Sequence, residues 1–279
     1  MPIHDQGYRR YGGQKARAGT GWIVIARAGL RTFFAKRAFL GLLLVAWFPF
    51  FVRAVQIYAA ANLPQAQFLA PTAETFRQFL DQQQIFVFFI TVYVGAGLIA
   101  NDRRANALQI YLSKPLTRAE YIFGKLAILM LFLALVTWLP AIVLLIVQIS
   151  FAGNFTFLKN NLFLFPAITV FSFVQVTMVA AAMLALSSLS NSSRYVGILY
   201  AAVIFFTQAI YGVLYAVTRS TAMSWISFSA NLAQVGDVIF RQPPKYDTPW
   251  PVSLLMIVGL VAICAAILER RVRGVEVVA

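Results

Sequence analysis

Six apolar runs, near residues 39–59, 85–101, 121–150, 162–187, 195–217 and 250–268, dominate the pattern of the chain. Each is long enough to cross about 30 Å of hydrocarbon as a helix rising ~1.5 Å per residue. The third is longer than a crossing needs, which implies a tilt or a start that projects beyond the bilayer. Ahead of the first run, "GWIVIARAGLRTFFAKRAF" carries Trp22, Ile23, Ala26, Leu30 and Phe33 on one helical face and Arg27 with Arg31 on another. That pattern suits a helix in the headgroup plane, an elbow before the first span, or a cytosolic extension of that span. Two further segments have helical periodicity. Residues 71–84 place Phe76, Phe79 and Leu80 together, and residues 225–240 place Phe228, Leu232, Val235 and Ile239 together. Each reads as a short amphipathic helix at the membrane interface or as a solvated loop. "RQPPKYDTPWP" after the second is a connector, because four prolines remove backbone donors.

The expected fold is therefore all-α: a polytopic membrane protein of six transmembrane helices with an amphipathic elbow and short interfacial helices. Its expected divisions are a cytosolic lead-in and elbow at 1–37, a membrane domain at 38–268 and a cytosolic tail at 269–279. The lead-in "MPIHDQGYRRYGGQKARAGTG" is too polar for a secretory signal.

Composition agrees. Of 279 residues, 61% are hydrophobic and 11% charged, against about 25% charged in ordinary soluble domains. The net charge of +14 would suit a nucleic-acid partner if it lay on one folded face. Instead it sorts by segment. With the N-terminus in the cytosol, seventeen basic residues fall inside and five (Arg77, Lys159, Arg219, Arg241 and Lys245) outside, leaving Arg53 within the first span. The positive-inside rule then places both termini in the cytosol of a cell membrane and removes the case for nucleic acid.

Chemistry is sparse. Cys264 is the lone cysteine and His4 the lone histidine, so neither a disulfide framework within one chain nor histidine chemistry at membrane depth is expected. No carboxylate falls in the apolar runs between 121 and 268, which argues against a membrane-embedded enzyme and a proton-coupled carrier. There is no GxxxxGK[ST] loop, since Gly124-Lys125 is followed by Leu126. The chain is not expected to hydrolyse ATP, nor to hold a cofactor. Arg53 and Gln56 either line a pathway for an anionic group or let the arginine snorkel to the outer interface. Gln175 and Gln208 either join helices or face a substrate route, as do Thr177 and Thr207. The small residues "GAG" at 95–97 and "AAAMLA" at 180–185 read as helix contacts.

The charged segment between the second and third runs is "NDRRANALQIYLSKPLTRAEY". Asp102, Arg103, Arg104, Leu108, Tyr111 and Leu112 suit a short helix with a mixed face. Pro115 forces Lys114 toward extended geometry and stops it. Thr117 and Glu120 then form a capping box, flanked by Arg118 and stapled by Leu116 and Tyr121. Helix, turn and capped helix make a compact protrusion, suited to docking or merely to reversing the chain.

Asp102 followed by "LSKPLTR" (112–118) and Gly124-Lys125 resembles the loop of ABC-transporter permeases of the type 2 exporter family. Asp102 stands where that family often has Glu, and Asn106 roughly where it has Gly. The resemblance extends to the six-run layout with its elbow. It implies that the loop is a coupling helix seated in a separate ABC ATPase subunit, which carries the ATP and Mg. It also implies two such ATPase subunits, a second copy of this chain or a related permease, and membrane lipid around the bundle. A non-transporting anchor that docks a cytosolic partner is the alternative, and a channel or secondary transporter a further one.

Overall fold

The computed structural model describes residues 19–107, 116–151 and 161–272. Among them, six helical runs are long and apolar enough to cross a membrane: Arg37–Asn62, Ala73–Arg104, Arg118–Phe151, Leu164–Leu189, Ser193–Thr218 and Trp250–Arg271. These are spans 1 to 6. No strand occurs among the described residues.

Three spans are broken where their residues require it. Span 1 divides into Arg37–Ala46 and Phe48–Asn62, with Pro49 in the first turn of the second piece, where a missing N–H costs nothing. Span 3 divides into Arg118–Val136 and Trp138–Phe151. Pro140 lies just past that break and removes one helical donor, while the Thr137 hydroxyl returns to the Leu133 carbonyl at 2.9 Å. Span 2 contains a π-helical turn, Thr91–Gly95, before its last helix, Ala100–Arg104.

Span 4 is the centre of the bundle. In its most apolar stretch 67% of residues are buried, against 22% in spans 1, 5 and 6. It packs against spans 3, 5 and 6 and the π turn of span 2. The small-residue segments meet as expected: a Cβ on Gly95 would fall 2.9 Å from Leu129 and would also collide with Met183.

Both amphipathic helices at the end of the bundle away from Asp102 turn their apolar faces onto the protein. Ala73–Gln82 is the first piece of span 2, with Phe76, Phe79 and Leu80 wholly buried. Phe228–Ile239 rests on spans 4, 5 and 6. The connector is irregular until Trp250, as its prolines demand, and Gln234 Nε2 ties it down by donating to the Tyr246 and Thr248 carbonyls at 3.2 and 2.8 Å.

Candidate functional site: the charged end of the bundle

The capping box forms. Thr117 Oγ1 accepts from the Glu120 amide at 3.2 Å, and Glu120 Oε2 accepts from the Thr117 amide at 2.8 Å. Four adjacent residues thus fix where span 3 begins. The second carboxylate oxygen accepts from the Gly21 amide at 3.1 Å, so the same side chain also holds the first turn of the elbow helix, Gly21–Phe34.

That helix lies along the start of span 3. Gly124 permits it: a Cβ there would stand 2.9 Å from Ile25 Cβ and 3.0 Å from the Trp22 carbonyl. The contact uses Ile25 and Gly29 beside the expected Ala26, Leu30 and Phe33. Trp22 and Ile23, expected on that face, point outward. The elbow is thus a packed helix, amphipathic because one side meets span 3.

Lys125 reaches Asp102. Its Nζ is 2.7 Å from Asp102 Oδ2, which also accepts from the Tyr121 hydroxyl at 2.8 Å. The ammonium stands 5.5 Å from the Tyr121 ring centre. Lys125 is buried and Asp102 only 18% exposed, so the pair is largely shielded from water and salt. The acid before the charged loop and the Gly-Lys pair after it therefore form one contact joining spans 2 and 3.

Arg103 donates to the Ser188 carbonyl near the end of span 4. Ser187 beside it accepts from the Ile99 and Ala100 amides at 3.1 and 3.0 Å and donates to the Ala96 carbonyl at 2.9 Å. One hydroxyl thus satisfies three backbone groups that the broken end of span 2 leaves open. Sequence reasoning missed Ser187, since nothing local marks it.

The helix expected from Asp102 through Leu112 is interrupted after Arg104, and Ala107, the last described residue of this stretch, is helical again. Ala105 is the C-cap of the first piece, and Asn106 has φ +53°. That left-handed conformation favours Gly first and tolerates Asn better than most residues, which accounts for Asn where the resembling family has Gly. Arg104 and Arg118 lie on the described flanks, with Arg118 opening span 3. Leu108, Tyr111, Leu112, Lys114 and Pro115 lie outside the described residues.

Of the four pathway candidates, Arg53 and Gln56 are joined to each other, while Gln175 and Gln208 lie elsewhere. Arg53 donates to Gln56 Oε1 at 2.9 Å and Gln78 Oε1 at 3.4 Å, reaching toward the end away from Asp102. Gln208 Oε1 accepts from the Ser227 and Ser229 hydroxyls at 2.6 and 3.2 Å, joining span 5 to the start of Phe228–Ile239. Gln175 lies by itself midway along span 4, buried, beside an apolar cavity of about 300 Å³ whose walls include Tyr200, Phe228 and Cys264.

A buried charge cluster escaped sequence reasoning. Arg77, counted among the basic residues of the outer segments, is 2% exposed. It pairs with Asp81 and, at 3.2 Å, with Asp237, while its guanidinium stands 4.7 Å from the Phe171 ring centre. A Cβ on Gly236 would come within 2.6 to 2.8 Å of Phe171 and Arg77, so glycine is what lets this arginine in. Burial raises the Asp237 carboxyl above the usual aspartate range, opposed by Arg77 and Lys245. Among the described residues, no group of three or more His, Cys, Asp or Glu is placed to hold a metal ion.

Six apolar spans, a packed elbow and a charged segment tied to the elbow and to span 4 define a polytopic membrane protein. The model of the ABC-2 family transporter protein matches residues 23–245, and the chain belongs to that family. It is a multi-pass transmembrane permease subunit, the kind that partners an ABC ATPase subunit rather than being one. No curated protein matches the chain.

Proposed function

We propose that this permease is the membrane half of an ATP-driven exporter, with both termini in the cytosol and the segment 102–120 docked on a separate ATPase. The orientation is supported by the seventeen-to-five split of basic residues. The working assembly pairs this chain with a second permease and two ATPase subunits in a cell membrane. Spans 1, 5 and 6 keep broad apolar faces for lipid or that second copy, among them Phe205, Phe206 and Val213 of span 5.

The observation that carries the reading is the bracing of the charged segment. Glu120 holds the elbow through Gly21, Lys125 and Tyr121 hold span 2 through Asp102, and Arg103 holds span 4 through Ser188. A segment that only reversed the chain would not need to cross-link its own two spans and tie them to two further helices, the elbow and span 4. Closure of the ATPase pair on ATP would displace Leu108, Tyr111 and Leu112. The Asp102 and Glu120 contacts would pass that displacement to spans 2 and 3 and the elbow, biasing a bundle with two arrangements. Lys114, Pro115 and Arg118 would set the angle at which the segment meets its partner.

Replacing Leu108, Tyr111 and Leu112 together by Ser should release the ATPase in a pull-down, since apolar anchors dominate such interfaces. Replacing Thr117 and Glu120 together by Ala should leave the ATPase bound and hydrolysing while transport falls. Retention of full transport by both variants would leave the segment a mere chain reversal.

A further inference from the structure

A crevice of about 580 Å³ opens beside the elbow helix, between it and spans 2 and 5, at the Asp102 end. Its walls include Ile25 and Phe33 of the elbow, Val92 of span 2 and Ile128 of span 3. Four charged side chains border it: Lys36, Lys125, Arg194 and Asp102. Asp102 is engaged by Lys125 at 2.7 Å, so the lining keeps two positive charges in excess. Lys36 and Arg194 carry them, both exposed, the former with its ammonium 4.9 Å from the centre of the Phe33 ring. The space therefore offers cations together with apolar walls, in a volume typical of sites for small ligands.

We propose that the crevice is a binding site for an anionic phospholipid. Lys36 and Arg194 take the phosphate, and the upper part of an acyl chain lies against Ile25, Phe33 and Val92. A soluble anion would satisfy the cations but leave the walls wet; a zwitterionic lipid would cover the walls but bring its own cation beside its phosphate, leaving the excess positive charge of the lining uncompensated. An anionic phospholipid does both. In the orientation proposed above, on which this inference rests, the site faces the cytoplasmic leaflet, where anionic lipids collect and basic pockets between helices recognise their headgroups. The occupant would bridge the elbow's exit at Lys36 to the start of span 5 at Arg194, clamping together two elements that each touch span 2.

The test uses the full chain in neutral detergent, titrated with phosphatidylglycerol or phosphatidylcholine and read by native mass spectrometry. Preferential retention of phosphatidylglycerol is expected. Lys36→Gln with Arg194→Gln should weaken it roughly thirtyfold, about fivefold for each charge. Lys36→Arg should retain it. Arg27→Gln with Arg31→Gln, on the elbow but off the crevice, should change it less than twofold. Equal retention of the two lipids, unchanged binding in the Lys36/Arg194 variant, an equal loss in the Arg27/Arg31 control, or displacement by inorganic phosphate alone would each overturn the proposal. Orientation is read separately, by labelling from outside the cell, so failure of the topology is distinguishable from failure of the site.

Discussion

The contact between Asp102 and Lys125 makes a quantitative prediction. Asp102→Asn keeps an acceptor for the Tyr121 hydroxyl but removes the charge 2.7 Å from Lys125. Charge-assisted hydrogen bonds contribute about 1.5–3 kcal/mol, and stranding one member of a fully buried pair costs about 3–5 kcal/mol. With Asp102 18% and Lys125 10% exposed by side chain, some hydration returns, and a loss of about 2–3 kcal/mol is expected. Lys125→Met removes the cation and leaves Asp102 with Tyr121 and some water, at about 1–2 kcal/mol by the same reasoning. The double variant strands no charge, so the two losses should fall short of additive by about 1–2 kcal/mol. Unfolding in mixed detergent micelles measures all three. ATPase pull-down should persist in every variant while transport per ATP hydrolysed falls. Additivity within about 0.5 kcal/mol would show that the pair carries no coupling energy and would remove Asp102 from the bracing argument.

Gly124→Ala should push the elbow off span 3 and cost about 1–3 kcal/mol, as overpacking does, with a disulfide-trapping pair between elbow and span 3 as the readout. Arg77→Met should leave Asp237 without its nearest cation. Because burial already raises that carboxyl, the folded state holds its proton more tightly than the unfolded chain. Stability of the variant should therefore fall as pH rises from the ordinary aspartate value, about 3.9, through the raised folded value, and recover on acidification; a pH-independent loss would refute this. Ser187→Ala should orphan the Ile99 and Ala100 amides and cost about 1–3 kcal/mol for each group left dry, seen as faster hydrogen exchange at residues 99 and 100. In a Cys264→Ser background, a cysteine at Asn106 should resist an impermeant reagent applied outside and one at Asp247 should react; the reverse result would invert the topology.

The spans were legible because crossing a bilayer demands about twenty apolar residues in succession. The capping box was legible because its parts lie within four residues. The tie from Glu120 to Gly21 spans 99 positions and that from Ser187 to Ala96 spans 91, and no local pattern announces either. Amphipathic periodicity correctly gave Phe76, Phe79 and Leu80 a common face, but it does not say whether lipid or protein covers that face. For the same reason a charge count assigned Arg77 to an outer segment without revealing its burial: the count is blind to Asp237, 160 residues away, and to Phe171.

Ser187 has a mechanical consequence for span 2. A continuous helix carries a push along its axis through its own hydrogen bonds, like a strut. Span 2 has lost that continuity between its π turn and Ala100, and the missing bonds are completed by a side chain of span 4. A load applied at Arg103 and Arg104 would therefore leave span 2 sideways, into span 4, the most buried of the six spans, before travelling lengthwise. Span 2 is less a piston than a lever, and its fulcrum is a serine on its neighbour.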